Sequence, residues 1–279
     1  MNDRMTLSLF LGNAAAVLAM MSLLWLWSVY RRDVSIVDPW WSMGFLLVAV
    51  RTYLDSPVAP HKTLLLTLVA VWALRLWLHL LWRARGKPED PRYQAFRARY
   101  GAERYWWVSF FQVFVLQGVL ALIISLPLSV TLAQPSSPPG LSPCAVIGGA
   151  LFAIGFLCEA VADWQLGRHR ADPARRGTVL DSGLWRYSRH PNYFGEALLW
   201  WGLWLFGVDL QIPATLWTVL SPVLLTFLLL RVSGVTLLEA QLSQTKPGYR
   251  AYVESTSAFI PLPPRRRGAR PTQGEPNQP

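Results

Sequence analysis

The chain has 279 residues, of which 53% are hydrophobic and 15 are tryptophan, and its net charge is +10. Such a composition excludes an ordinary soluble domain, and several runs reach the roughly 20 apolar residues that cross a ~30 Å hydrocarbon core. The basic residues are spread over loops flanking those runs, which excludes a nucleic-acid interface and fits contact with anionic headgroups.

Taken in order, the apolar runs predict seven transmembrane helices at about 6–30, 35–54, 63–82, 107–132, 143–163, 193–208 and 212–234. The sixth could begin as early as Pro191, and no removable signal peptide is expected at the N-terminus. The segments 31–33, 83–106 and 164–190, with the tail after 235, hold 21 of the 26 Lys and Arg residues. This asymmetry predicts an outside N-terminus and a cytoplasmic C-terminus. The expected fold is therefore all-α, a polytopic membrane helix bundle, in one membrane-embedded domain over 1–262. The basic, Pro-rich tail 263–279 is expected to be disordered, with Arg265, Arg266 and Arg267 touching anionic lipid. Cys144 and Cys158 lie on one helix about 21 Å apart, too far to bridge.

Polar groups gather at the cytoplasmic helix ends. The second run opens "SIVDPWWSMGF", where Ser35 or Asp38 could cap a helix, or Asp38 could be a carboxyl group at a cavity walled by Trp40 and Trp41. In the third run Arg75, His79 and Arg83 are each four residues apart and form one face. His79 reads either as a buried core residue or as a catalyst. The fifth run ends "CEAVADWQLGRHR". Its Glu159 and Asp163 share a face, and intramembrane carboxylates need a cavity or a cationic partner such as Arg186 or Arg189. Acidic groups there could bind ribose hydroxyls, while arginines such as Arg168 and Arg170 hold phosphate.

The densest cluster is "GLWRYSRHPNYFGE" at 183–196. Pro191 suits a first helical turn, so the helix N-terminus would sit beside Arg186, Arg189 and His190 and make an anion site. Asn192 and Glu196 project from one face of that helix, with Tyr193 between them. Further on, Arg231 and Glu239 can share a face with Ser233 and Gly234 between them, and "KPGYRAY" places Tyr249 and Tyr252 at the interface.

Four blocks, "GLWRYSRHPNYFGEALLWWG", "CEAVADWQL", "GKPEDPRYQAFR" and "SGVTLLE…PGYRAYVESTSAFIP", together resemble the steroid 5-alpha-reductase-like superfamily, most closely its uncharacterised bacterial branch. The resemblance covers about 35–262. It implies an integral membrane reductase of the bacterial inner membrane that takes NADPH from the cytoplasm and a lipid-soluble enone from the bilayer. Carried over by position, it implies cofactor contacts from Arg83, Asp163, Arg170, Asn192, Glu196, Tyr249 and Tyr252. The residues themselves add Glu159, Arg186, Arg189, His190, Tyr193 and Glu239 to that cofactor set.

Relatives of that kind pair a glutamate in the second helix with a tyrosine in the third. Here Asp38 could take the glutamate's place, but Leu80 stands where the tyrosine is expected. Asp38 and His79 are thus the catalytic candidates, with water as the other proton source. No metal site is expected. "SRHPNYFGE" also satisfies the shorter pattern of the isoprenylcysteine carboxyl methyltransferase group, so an S-adenosylmethionine-dependent membrane methyltransferase is the alternative. A transporter is disfavoured because the polar groups do not lie at mid-membrane on broken helices. Substrate identity and oligomeric state are not legible.

Overall fold

The computed structural model describes residues 3–134, 140–232, 235, 239, 242 and 245–265. Ser233, Gly234, residues 135–139 of the outer loop, and Arg266 and Arg267 in the tail lie outside the described residues.

Every regular element among the described residues is helical. In chain order these are α1 (Asp3–Arg31), α2 (Val37–Leu54), α3 (Pro60–Ala84) and α4 (Pro91–Tyr100). They continue with α5 (Ala102–Ile124), α6 (Leu126–Leu132), α7 (Pro143–Ala171), α8 (Pro191–Phe206), α9 (Pro213–Val232) and α10 (Tyr249–Ser255). Six of them, α1, α2, α3, α5, α7 and α9, are long and apolar enough to cross a membrane. The expected sixth run forms α8, a helix of 16 residues, which spans about 24 Å. It is shorter than the others because Pro191 starts it and Gly207 follows it. The expected single span 107–132 is divided: α5 contains a π-helical stretch at Phe110–Val115 and ends at Ile124, with Ser125 between it and α6.

The chain forms two compact units, Met1–Ala153 with Leu199–Leu225, and Ile154–Leu198 with Thr226–Pro279. In the first, α2 is central, packing most extensively on α3 and then on α1. Phe45, Trp72 and Trp200 are buried and meet edge to face, with Trp200 centroids 4.8 Å from Phe45 and 5.4 Å from Trp72. Such geometry suits the ring quadrupoles. α7 and α8 approach backbone to backbone in this unit: a Cβ on Gly202 would lie 2.5 Å from the Phe152 nitrogen.

In the second unit the same two helices stay equally close. A Cβ on Gly195 would lie 2.5 Å from the Glu159 nitrogen and 2.6 Å from the Gly155 oxygen. Small residues at such crossings let membrane helices pack without a side-chain layer between them. The rest of this unit is built on short turns and straps. Trp185 is buried against Ala162 and donates its indole N–H to the Ala162 carbonyl at 3.1 Å. The backbone N–H groups of Leu262 and Arg265 donate to the carbonyls of Tyr187 and Ser255. Arg265, expected to trail in lipid, is thus tied to α10.

Candidate functional site

Two polar constellations emerge, one in each unit. In the first, Asp38 sits in the opening turn of α2, but it does not cap that helix and neither does Ser35. α2 has no side-chain cap; Asp33 instead caps the 3-10 turn at Val34–Ile36 that precedes it, its carboxylate accepting from the Ser35 N–H at 2.9 Å. Asp38 is free to face α4. Its Oδ1 accepts from the Tyr93 hydroxyl at 2.6 Å, and its Oδ2 accepts from Arg92 Nη2 at 2.8 Å.

α4 is locked in place by the residues around that contact. The Asp90 carboxylate caps it through the Arg92 N–H, and the Asp90 N–H donates to Ser35 Oγ at 2.8 Å. Glu89 accepts from the Val34 N–H at 2.8 Å and from both Nε and Nη2 of Arg97. The "GKPEDPRYQAFR" block therefore docks onto the start of α2. Tyr93 is buried. Burial, then the neighbouring Asp38 carboxylate, push its phenol well above the usual range. Burial raises the Asp90 carboxyl, but hydrogen bonds from Arg92 outweigh it and hold that group low; Arg83 adds to the same field.

Arg83 itself is exposed, and His79 is half-buried with its ring 6.4 Å from Trp82. Trp40 and Trp41, the expected cavity walls, meet Trp77 and Phe45 at 5.6 and 4.9 Å. Tyr93 and Arg92 were missed at the level of sequence. The signal was the Asp-Pro-Arg-Tyr spacing, which puts a capped helix start one turn before a tyrosine.

The second constellation surrounds the N-terminal turn of α8. Glu159 and Asp163 are buried on α7, and Asn192 Nδ2 donates to Asp163 Oδ1 at 3.2 Å. Gly195 allows this contact by bringing the two backbones together, which gives a physical role to the glycine of "NYFGE". Glu196 is half-buried one turn below Asn192. The Tyr193 ring stacks on His190 at 5.6 Å and 4°.

Arg189 is 9% exposed and fully engaged. Its Nε and Nη2 donate to the Glu239 carboxylate at 2.7 and 3.1 Å, and its Nη1 donates to the carbonyls of Val253 and Thr256. His190 Nε2 lies 3.3 Å from the same Glu239 oxygen. The partner of Glu239 is thus Arg189 and not Arg231, and Arg189 binds the C-terminal carbonyls of α10, where cations are favoured. Tyr252 donates to the carbonyls of Trp185 and Ser188. The Tyr249 hydroxyl is buried with no partner among the described residues, and burial, then the charge of Glu239, raise it to about 12.

Beside α10 lies a hollow of about 360 Å³ lined by Arg186, Arg265, Asp181, Tyr252, Ser255 and Thr256. Nearby, Lys246 Nζ donates to the Thr178 carbonyl at 2.8 Å, and His169 Nε2 lies 3.3 Å from that oxygen. Burial, then the positive charge of Arg170, lower the Lys246 ammonium. Guanidinium groups, hydroxyls and a carboxylate around one hollow form a donor and acceptor set that suits a phosphorylated sugar. The hollow is smaller than a whole dinucleotide.

The fold and these sites define a multi-pass helical membrane protein with its polar machinery gathered at helix ends. No cluster of His, Cys, Asp and Glu able to hold a metal ion occurs among the described residues, and both cysteines are free. Residues 24–256 match the family described as Protein of unknown function (DUF1295), and the chain belongs to it. An uncharacterized protein of Schizosaccharomyces pombe is 25% identical over 291 residues, covering 91% of this chain and 78% of that one. No solved structure matches the chain.

Proposed function

We propose that the protein is an NADPH-dependent membrane reductase. It would act on a carbon–carbon double bond conjugated to a carbonyl in a lipid-soluble substrate, as an enzyme of the bacterial cytoplasmic membrane. The observation that carries this reading is the Tyr93–Asp38 pair, a buried phenol donating at 2.6 Å to a carboxylate. It would supply a proton-donating group in place of the tyrosine expected at Leu80. The resemblance to the steroid 5-alpha-reductase-like superfamily supports the same chemistry.

NADPH fits the residues of the second unit. Arg186 and Arg265 would meet phosphate, Asp181 and the hydroxyls beside it would meet ribose, and the Tyr249 hydroxyl, without a partner among the described residues, would offer a further contact. Asp163, Asn192 and Glu196 form the amide and carboxylate cluster that would hold the rest of the dinucleotide. Arg189, His190, Glu239 and Tyr252 act as positioning residues, because their hydrogen bonds fix α10 and the strand of chain that follows it. When bound, the cofactor supplies a hydride to the β-carbon of the enone.

Negative charge would develop on the carbonyl oxygen, and the Tyr93 hydroxyl would stabilise it by turning its single O–H from Asp38 to that oxygen. Asp38 orients the phenol and, with burial, keeps it in its neutral, proton-bearing form, while Arg92 holds Asp38. A proton passed from Tyr93 to that oxygen would give the enol, water would return a proton to the phenolate, and tautomerisation to the saturated ketone would complete the addition of two hydrogens.

The test is thermal: NADPH is expected to raise the melting temperature of the detergent-solubilised protein, and S-adenosylmethionine is not. The reverse pattern would replace the reductase by the methyltransferase. With NADPH bound, a panel of apolar enones is then screened for cofactor consumption, which Tyr93→Phe is expected to abolish.

A further inference from the structure

We propose that the groove where α4 meets α5 is a binding site for an anionic phospholipid, independent of the reductase assignment. The groove has a volume of about 640 Å³ and is lined by Arg99, Tyr100 and Arg104 at one end and by Trp107, Phe111 and Gln112 at the other. Its two ends therefore match a phosphate headgroup and an acyl chain.

The charged end is unbalanced. Arg92 and Arg97 on α4 are neutralised by Asp38, Asp90 and Glu89. Among the described residues Arg99 and Arg104 meet no carboxylate, and the guanidinium of Arg99 is held over the Tyr100 ring at 5.8 Å. Arg104 lies in the first turn of α5, next to Glu103, and forms no ion pair with a carboxylate among the described residues. The apolar end is open: Trp107 is 46% exposed and Phe111 is 62% exposed, on a helix long and apolar enough to cross the membrane.

A further observation points to a ligand. Gln112 Oε1 is buried in this groove without a hydrogen-bond partner among the described residues. It lies within the π-helical stretch Phe110–Val115. Such bulges interrupt the i→i−4 ladder and are frequent at binding sites. The lipid would steady the far end of the helix that carries Tyr93, about 9 Å further along α4.

The experiment reconstitutes the full chain in nanodiscs of phosphatidylglycerol or phosphatidylcholine and reads melting temperature, with native mass spectrometry for retained lipid. Phosphatidylglycerol is expected to raise the melting temperature above that in phosphatidylcholine and to be retained. An Arg99→Gln, Arg104→Gln variant is expected to lose both effects, and Arg99→Lys, Arg104→Lys to recover most of them. An Arg85→Gln, Arg176→Gln variant removes the same charge elsewhere and is expected to behave like the wild type. The proposal is overturned if the two lipids act equally, if inorganic phosphate in detergent reproduces the shift, or if the two glutamine variants are indistinguishable. If Arg99→Gln, Arg104→Gln does not fold, retention by the lysine variant decides alone.

Discussion

In the proposed reductase Tyr93 and Asp38 would carry the chemistry, and their pairing makes an unambiguous prediction. Tyr93→Phe removes one hydrogen bond to a carboxylate, worth about 1.5–3 kcal/mol. It is expected to lower stability by that order and to abolish enone reduction, while calorimetry shows NADPH affinity unchanged. A Tyr93→Phe protein that still turns over would remove the phenol from the mechanism. Asp90 predicts a pH effect. Its carboxyl is held below its ordinary value in the fold, so its contribution is complete above the unfolded pKa. That contribution is lost as pH falls through the folded one, below about pH 4. Hydrogen exchange over 91–100 is expected to accelerate on such acidification, and Asp90→Asn to remove the dependence. Asp38 was legible as a chemical candidate from its place before a proline at an apolar run. Its partner was not, because Tyr93 lies 55 residues away in sequence and only the docking of α4 onto α2 unites them.

Helix starts were the most legible elements. Pro191 opens α8 as its missing N–H allows, and Pro60, Pro91 and Pro143 open three others in the same way. Less legible was how close the helices come. Gly195 stands in the "NYFGE" motif, yet its role follows from the α7 backbone at 2.5 Å, which no pattern within α8 encodes. Gly195→Ala is expected to cost about 1–3 kcal/mol through overpacking and, by moving Asn192 off Asp163, to weaken NADPH binding as well. The Arg189–Glu239 pair shows the same limit. Sequence reasoning counted both as ligand contacts, whereas the fold uses them to fasten α10. Glu239→Gln leaves a buried guanidinium half-paired and is expected to destabilise by about 3 kcal/mol. Denaturation in detergent should show that loss even without cofactor, which a residue serving only as a ligand contact would not produce.

At the scale of the whole molecule, composition and charge sufficed for the class, a polytopic helical bundle; of the seven spans expected, six helices among the described residues are long and apolar enough to cross a membrane, and the other is the shorter α8. Charge asymmetry also predicts the orientation. A cysteine at Ser56, in a chain lacking Cys144 and Cys158, is expected to react with an impermeant reagent from outside, and one at Tyr187 only after permeabilisation. The division of labour between the units was not legible, since it depends on which loops fold back on which helices. The tail is one case: Arg265 reads as part of a disordered basic run, but its backbone N–H is bonded to Ser255. The most direct test of the reductase assignment is calorimetric titration of the purified protein with NADPH, beside an Asn192→Ala, Glu196→Ala double variant that retains its fold. Micromolar binding to the wild type that disappears in the variant is the predicted result. A well-folded wild-type protein that binds no NADPH would contradict the reductase assignment.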